Sequence, residues 1–223
     1  ELRSVHGRVA AEEGIGLTFY HLGDLVQARH WLEIAVDRAR PIYHLRRLVK
    51  ALIGLGLVEI AAHRMCVALP TLIEAVMIAR ESECYEGLAS GLSALARAKR
   101  MGGDMEYTVE YAQEAIKIAQ ENSLTTCETW GEMEIGLSLL YQGLLSDSLD
   151  HTQQAIELVP GAHEGWIGNE EVYFAHARVL QNLDKAEAAA KYIKKAKEII
   201  ERKANRIADS ELRQHFLHVH SNG

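Results

Sequence analysis

Two stretches, "HLGDLVQARHWLEIAVDRAR" from His21 to Arg40 and "MGGDMEYTVEYAQEAIKIAQ" from Met101 to Gln120, share one pattern. Each places a Gly-Asp pair directly ahead of a segment with the apolar spacing of an amphipathic helix. A glycine ends a helix well because it adopts a positive φ without strain, and an aspartate begins one by accepting a hydrogen bond from a backbone amide of the first turn. The two stretches therefore predict the same unit, a tight turn followed by a helix.

Small residues recur along the whole chain at an interval of 40 residues. One column contains Ala28, Ala68, Thr108, Ser148 and Ala188. A second contains Gly16, Gly56, Ala96, Gly136 and His176, and a third contains Ala35, Ala75, Ala115, Ala155 and Lys195. Large apolar residues follow the same interval at Ile15, Leu55, Leu95 and Ile135. Because small side chains let two helices approach closely while larger ones fill the sides, the columns predict a repeated pair of antiparallel helices.

The composition favours helix throughout, since prolines are only three and Ala, Leu and Glu dominate. The spacing predicts helices near residues 3–22, 24–40, 43–62, 64–82, 85–101, 104–122, 126–142, 145–158, 164–182 and 184–205, with a last short helix near 209–217. We therefore expect an all-α, right-handed α-α superhelix of five helix pairs over residues 1–207, with hairpins near 9–48, 49–88, 89–128, 129–168 and 169–207. Residues 208–223 are expected to form a C-terminal capping helix and tail, because the last repeat of a solenoid needs its apolar edge covered.

Charge and composition exclude several classes of function. A formal charge of -7 without a basic stripe argues against direct nucleic-acid binding. The chain contains no apolar run long enough for a membrane span, which argues against a membrane partner. The cysteines Cys66, Cys84 and Cys127 are odd in number and form no CxxC, so they predict neither a disulfide framework nor a zinc site. We expect a cytoplasmic protein.

Motifs of catalysis are absent, so we expect no enzyme, no cofactor and no metal. The Gly-x-Gly pairs at 14–16 and 54–56 lack a third glycine and lie inside predicted helices. Glu12-Glu13 and Glu170-Glu171 are adjacent on helices and point about 100° apart, which favours solvated helix faces over a shared substrate site. The histidines in the HxxHxH pattern near the C terminus, His215, His218 and His220, are an alternative metal site, but no carboxylate or thiol accompanies them.

The repeat resembles a known family. The pattern Glu12, Ile15, Gly16, Phe19, Ala28 and Leu32, closed by Pro41, looks like a tetratricopeptide (TPR) repeat, and Glu132, Ile135, Gly136, Leu139, Ser148 and Pro160 repeat it. It departs from the family in lacking the first-position Trp and in its longer period. The longer period resembles the TPR regions of large bacterial signal-transduction ATPases, including the maltose-activator type of transcriptional regulator, and "RIADSELRQHFL" resembles their closing helix.

The resemblance implies a non-enzymatic scaffold for protein–protein interaction, the interaction or sensor arm of a larger bacterial signalling or transcriptional regulator. It also permits an alternative, a small-molecule-sensing TPR domain of a regulatory ATPase.

In stacked helical pairs the first helix of each pair lines the concave face, which is the expected binding face for a protein or peptide segment. The predicted groove residues are Leu17, Tyr20, Ile53, Leu57, Arg97, Arg100, Trp130, Met133, Tyr141 and Tyr173. Trp, Tyr and Arg dominate binding hot spots, and Arg can bind a carboxylate with two parallel hydrogen bonds. This favours a partner with an acidic group near an apolar anchor. Alternatively, the aromatic residues pack between repeats and the arginines pair with Glu132 or Glu134.

The two ends of the predicted stack differ. The C-terminal end has a predicted capping helix, whereas the N-terminal end begins with "ELRSVHGRVAAEEGIGL" and has no polar capping helix. An uncapped apolar edge predicts that upstream chain covers it or that a second copy does so in a homo-oligomer.

Overall fold

The computed structural model describes residues 2–159 and 168–220, and within these ranges the chain forms eleven α-helices joined by tight turns. The helices are α1 (Leu2–Leu22), α2 (Leu25–Ala39), α3 (Leu45–Ala61), α4 (Met65–Glu81), α5 (Tyr85–Met101), α6 (Met105–Glu121), α7 (Thr125–Tyr141), α8 (Leu145–Leu158), α9 (Asn169–Asn182), α10 (Ala186–Ala204) and α11 (Ser210–His220). The predicted all-α fold is confirmed. The predicted start of the ninth helix at residue 164, and Pro160 of the repeat pattern, lie outside the described ranges. None of the helices described is both long enough and apolar enough to cross a bilayer.

The turns between helices share one backbone conformation. A residue with positive φ follows each helix end at Gly23, Tyr43, His63, Glu83, Gly103, Ser123, Gly143 and Asp184. At the first turn the Gly23 amide donates to the Tyr20 carbonyl and the Asp24 amide donates to the Phe19 carbonyl, both at 3.0 Å. These are the two hydrogen bonds of a Schellman motif, and the same pair recurs at the other seven positions.

The predicted role of Asp24 is confirmed, because its Oδ1 accepts a hydrogen bond from the Gln27 amide at 3.0 Å and caps α2. In the second stretch Gly103 has the expected positive φ. There the carboxylate of Asp104 also binds Lys99 Nζ at 3.0 Å, in the last turn of α5. The Gly-Asp pair thus fastens a helix end as well as starting the next helix.

The chain divides into two compact units, Glu1–Asp104 and Met105–Gly223. In the first unit α1, α3 and α5 pack side by side, while α2 packs against α1 and α3, and α4 packs against α3 and α5. In the second unit α7 and α9 pack together, α6 packs on α7, α8 packs on both, and α10 packs on α9 and α11. The division falls in the turn between α5 and α6, within the third predicted hairpin. The hairpin boundaries themselves stay a prediction.

The small-residue columns mark the places where helices come closest. A Cβ atom built on Gly56 of α3 would lie 2.3 Å from Leu72 Cδ2 of α4, and one on Gly136 of α7 would lie 2.5 Å from Thr152 Cγ2 of α8. Such distances are far below van der Waals contact. Only glycine therefore fits at these crossings with the helices as they stand.

The outer edge of α1 differs from the equivalent edges of later helices. Ile15 is exposed, whereas Leu95 and Ile135 of the same column are buried. A Cβ atom on Gly14 would meet nothing within 4 Å. Association through this edge remains a prediction.

His176 occupies the glycine column in the second unit and is buried. Its Nδ1 lies 2.9 Å from Thr152 Oγ1, and Tyr192 meets the imidazole edge-on with 4.6 Å between ring centroids. Burial lowers the pKa of His176 below its usual value because the charged form would lose its hydration. The side chain is therefore a neutral packing group that joins α8, α9 and α10.

We expect the chain to lose stability as the pH falls from about 7.5 to about 5, partly through His176. In the unfolded chain the imidazole binds a proton near its usual pKa of about 6.5, whereas the folded chain resists protonation, so acid favours unfolding. This stability is fully present above that pKa and is lost below it. His176→Gln should flatten the pH dependence of urea unfolding followed by circular dichroism, while His215→Gln, at an exposed site, should not. Equal pH dependence in both variants would contradict the assignment.

Candidate functional site

Six of the ten predicted groove residues lie in the first unit, on the helices that pack side by side. They are Leu17, Tyr20, Ile53, Leu57, Arg97 and Arg100. Ile53 is buried in the core, and the other five are partly exposed. Leu17 of α1 reaches α3, where its Cδ2 would lie 3.1 Å from a Cβ atom on Gly54. In this unit Ile53 supports the surface from beneath, while the remaining five side chains reach it.

The other four predicted residues lie in the second unit, with Trp130, Met133 and Tyr141 on α7 and Tyr173 on α9. Met133 is buried in a core cluster with Leu137, and Trp130 packs against that cluster while staying partly exposed. Met133 therefore belongs to the core rather than to the surface. Tyr141 is 54% exposed at the end of α7.

Two aromatic groups of the second unit stand beside cations. The guanidinium carbon of Arg178 lies 5.7 Å from the centre of the Tyr141 ring, and Arg178 Nη2 donates to the Tyr141 hydroxyl at 3.2 Å. Tyr173 stacks on Tyr192 of α10 with 6.1 Å between centroids. Lys195 Nζ lies 5.6 Å from the Tyr173 ring and 5.3 Å from the Tyr192 ring. Each group combines an apolar ring face with a positive charge, which suits an apolar side chain next to a carboxylate.

Arg178, Tyr192 and Lys195 were not among the predicted site residues. Lys195 carried a sequence signal, because it stands in a column that is otherwise alanine. Arg178 carried none, since its partner Tyr141 lies 37 residues away in the chain.

The interpretation of Glu12-Glu13 and Glu170 as solvated is wrong. All three side chains are buried and carry ion pairs to other helices. Glu12 binds Arg38, Glu13 binds Arg47 at 2.7 Å, and Glu170 binds Lys203 at 2.7 Å. The cations come from helices 26 to 34 residues away, so a pattern within one helix did not contain them.

Glu59 of α3 is the most heavily paired of these buried carboxylates. Arg29 Nε of α2 donates to Oε1 at 2.7 Å, and Arg64, just ahead of α4, donates to both oxygens at 2.5 and 2.8 Å. In the second unit Glu132 Oε2 lies 2.7 Å from His151 Nδ1. These pairs hold helices together and leave the carboxylates no access to a substrate.

Among the residues that the structure describes, no group of three His, Cys, Asp or Glu side chains is placed to hold a metal ion. His220 stacks on the buried Phe216 at 4.2 Å between centroids, whereas His215 and His218 are exposed. All three cysteines are free thiols.

No protein-family model and no curated protein matches the chain. Solved structures do match it, and they define the class: the chain has the fold of TPR-like repeat proteins, as the sequence predicted. BtubC (BKLC) from P. vanneervenii is 15% identical over 92% of this chain and 94% of that one, with a TM-score of 0.61. The TPR-like repeats of a putative Podosopora anserina kinesin light chain are 15% identical over 90% of this chain and 98% of that one, at 0.59.

A third match is the Rap conjugation gene regulator of the plasmid pLS20, solved in complex with the Phr* peptide. It is 14% identical over 93% of this chain, with a TM-score of 0.71, and this chain spans 61% of its length. At such low identity these similarities establish the fold alone.

Proposed function

We propose that the chain is a non-enzymatic scaffold that binds protein or peptide segments on its first helices, α1, α3 and α5 in one unit and α7 and α9 in the other. The observation that carries the proposal is the exposed Tyr141 ring held beside the Arg178 guanidinium. Exposed aromatic and arginine side chains of this kind dominate binding hot spots. The Rap regulator, which shares the fold, was solved with a bound peptide, and this supports the same use here.

The chemistry of the proposed partner follows from the side chains present. In the second unit, Tyr141 and Trp130 offer ring surface to an apolar side chain, and Arg178 offers donors to a carboxylate. In the first unit Arg97 and Arg100, three residues apart and so on one side of α5, offer a second carboxylate site. We therefore propose short segments in which an acidic residue neighbours a large apolar one.

Tyr141→Ala should weaken the binding of such a segment about ten-fold, the loss typical of a hot-spot residue. The probe is a peptide selected from a random display library on the full chain, with affinity measured by fluorescence anisotropy. Tyr107→Ala is the matched control, since Tyr107 is 47% exposed but lies on α6, a second helix. A joint Arg97→Ala and Arg100→Ala variant tests the first-unit surface in the same assay. If the selected peptides carry no carboxylate, or bind all variants equally, the proposal is wrong.

The setting that the sequence resemblance implies, an arm of a larger bacterial signalling or transcriptional regulator, is part of the same proposal. A second candidate, the sensing of a small molecule, is favoured by Lys195 above the stacked rings of Tyr173 and Tyr192. That arrangement suits a small planar acid. Calorimetry of the chain with aromatic carboxylates, repeated on Lys195→Ala, separates this candidate from a peptide binder.

A further inference from the structure

The second helices turn one side to solvent, and on α4 this side is apolar. Val67, Pro70, Ile73 and Met77 are all exposed, Ile73 by 45% and Met77 by 57%. With about 100° of rotation per residue, these four positions fall within about 120° of one another around the helix. They form a continuous apolar stripe along α4, which we call the α4 stripe.

The repeat itself does not require an apolar stripe here. The positions equivalent to the α4 stripe, 40 residues before and 40 and 80 after, are mostly polar or charged on the other second helices. They are Gln27, His30, Glu33 and Asp37 on α2, Tyr107, Glu110, Gln113 and Lys117 on α6, and Asp147, Asp150, Gln153 and Glu157 on α8. The α4 stripe is thus a local departure from a solvated pattern, and exposed apolar surface of this kind marks interaction sites.

Acidic side chains surround the α4 stripe. The neighbouring α2 exposes Glu33 and Asp37, and α4 itself carries Glu74 and Glu81. Arg40 and Arg80 are the two arginines on the same side, and Arg40 is bound to Glu74 at 2.5 Å. Carboxylates therefore outnumber cations around the α4 stripe. This charge repels phosphate, in nucleic acid or in anionic lipid, and attracts a cationic partner.

We propose that the α4 stripe docks a basic amphipathic helix of another protein. The apolar side of that helix would rest on Val67, Ile73 and Met77, and its lysines or arginines would lie toward Glu33 and Asp37. Methionine adapts its shape to varied apolar partners, and a helix laid on an apolar strip is a common mode of peptide recognition. The surface is built by second helices, so it is separate from the proposed first-helix site and does not depend on it.

The test uses the full chain and two synthetic helical peptides, one with leucines and lysines on opposite sides and one in which glutamates replace the lysines. We expect the lysine peptide to bind and the glutamate peptide to bind at least about ten-fold more weakly. A joint Ile73→Gln and Met77→Gln variant should weaken binding of the lysine peptide by about ten-fold, and Glu33→Lys with Asp37→Lys should do the same. A joint Gln153→Ala and Glu157→Ala variant, at the equivalent positions of α8, should leave it unchanged.

All six positions are exposed or partly exposed, so the variants should fold, and circular dichroism checks this. Equal binding of both peptides overturns the proposal, as does binding that the Ile73→Gln and Met77→Gln variant leaves intact. Sedimentation velocity provides a further test. If the chain alone self-associates and that variant abolishes the association while the lysine peptide does not bind, the partner is a second copy and the proposal is wrong.

Discussion

Leu72→Ala is expected to lower the free energy of unfolding by about 3 kcal/mol, because it removes a fully buried side chain from the closest helix crossing of the first unit. Leu72 of α4 lies over Gly56 of α3, where a Cβ atom would come within 2.3 Å of its Cδ2. The variant loses the transfer free energy of the removed atoms and leaves a cavity that the two helices only partly close. Guanidinium unfolding followed by circular dichroism measures the loss.

A second substitution at the same crossing makes this test specific. Gly56→Ala alone should destabilise the chain by about 1–2 kcal/mol, because overpacking exceeds the gain in helix propensity. In the Leu72→Ala background the added methyl enters the vacated space, so Gly56→Ala should become stabilising. Gly14→Ala is the control and should stabilise by about 0.5–1 kcal/mol, since nothing lies within 4 Å of its Cβ position. Additive effects of the two substitutions would show that the crossing does not exist.

Glu59→Gln should destabilise the chain by about 2 kcal/mol, the second-largest effect we expect. The carboxylate is buried, with 5% of its side chain exposed, and it satisfies both Arg29 and Arg64. Removing the charge leaves two guanidinium groups beside a neutral amide, and breaking a buried ion pair typically costs about 3–5 kcal/mol. We expect less because Arg64 is 45% exposed and regains water.

Glu74→Gln is the matched control for Glu59→Gln. It breaks a geometrically similar pair with Arg40, but the two side chains are 38% and 51% exposed. Exposed pairs contribute about 0–1 kcal/mol and are screened by salt. Unfolding at low and high salt should therefore show a larger and less salt-sensitive loss for Glu59→Gln. A loss at Glu59 no greater than that at Glu74 would contradict the role assigned to burial.

The fold was predictable because its information is periodic. Gly56 and Gly136 announce close helix crossings by residue type alone, and Asp24 announces a helix start. The turns were less readable from sequence. Tyr43 and Glu83 adopt positive φ although neither residue type favours it, because the two hydrogen bonds of the Schellman motif hold the backbone there. Local propensity is overridden where the packed helices on both sides fix the turn.

The site was less predictable, for a different physical reason. Whether a side chain is exposed depends on elements far away in the chain, so Met133 looked like a groove residue and lies in the core. Glu13 looked solvated and is buried under Arg47. Likewise, no pattern within α7 or α9 revealed that Arg178 would lie over Tyr141. Sequence periodicity identified the helices but not which of their surfaces remained open.

The buried ion pairs bear on how the repeats find their proper neighbours. The apolar columns are nearly alike in every repeat, so a helix of the first unit would fit almost as well one hairpin further along. The charges are not alike. If α1 packed on α5 in place of α3, Glu13 would meet Gly87 where Arg47 now stands, and a buried carboxylate would lose its partner. The ion pairs thus act as a proofreading code, which penalises misregistered hairpins during folding and fixes the order in which identical shapes are stacked.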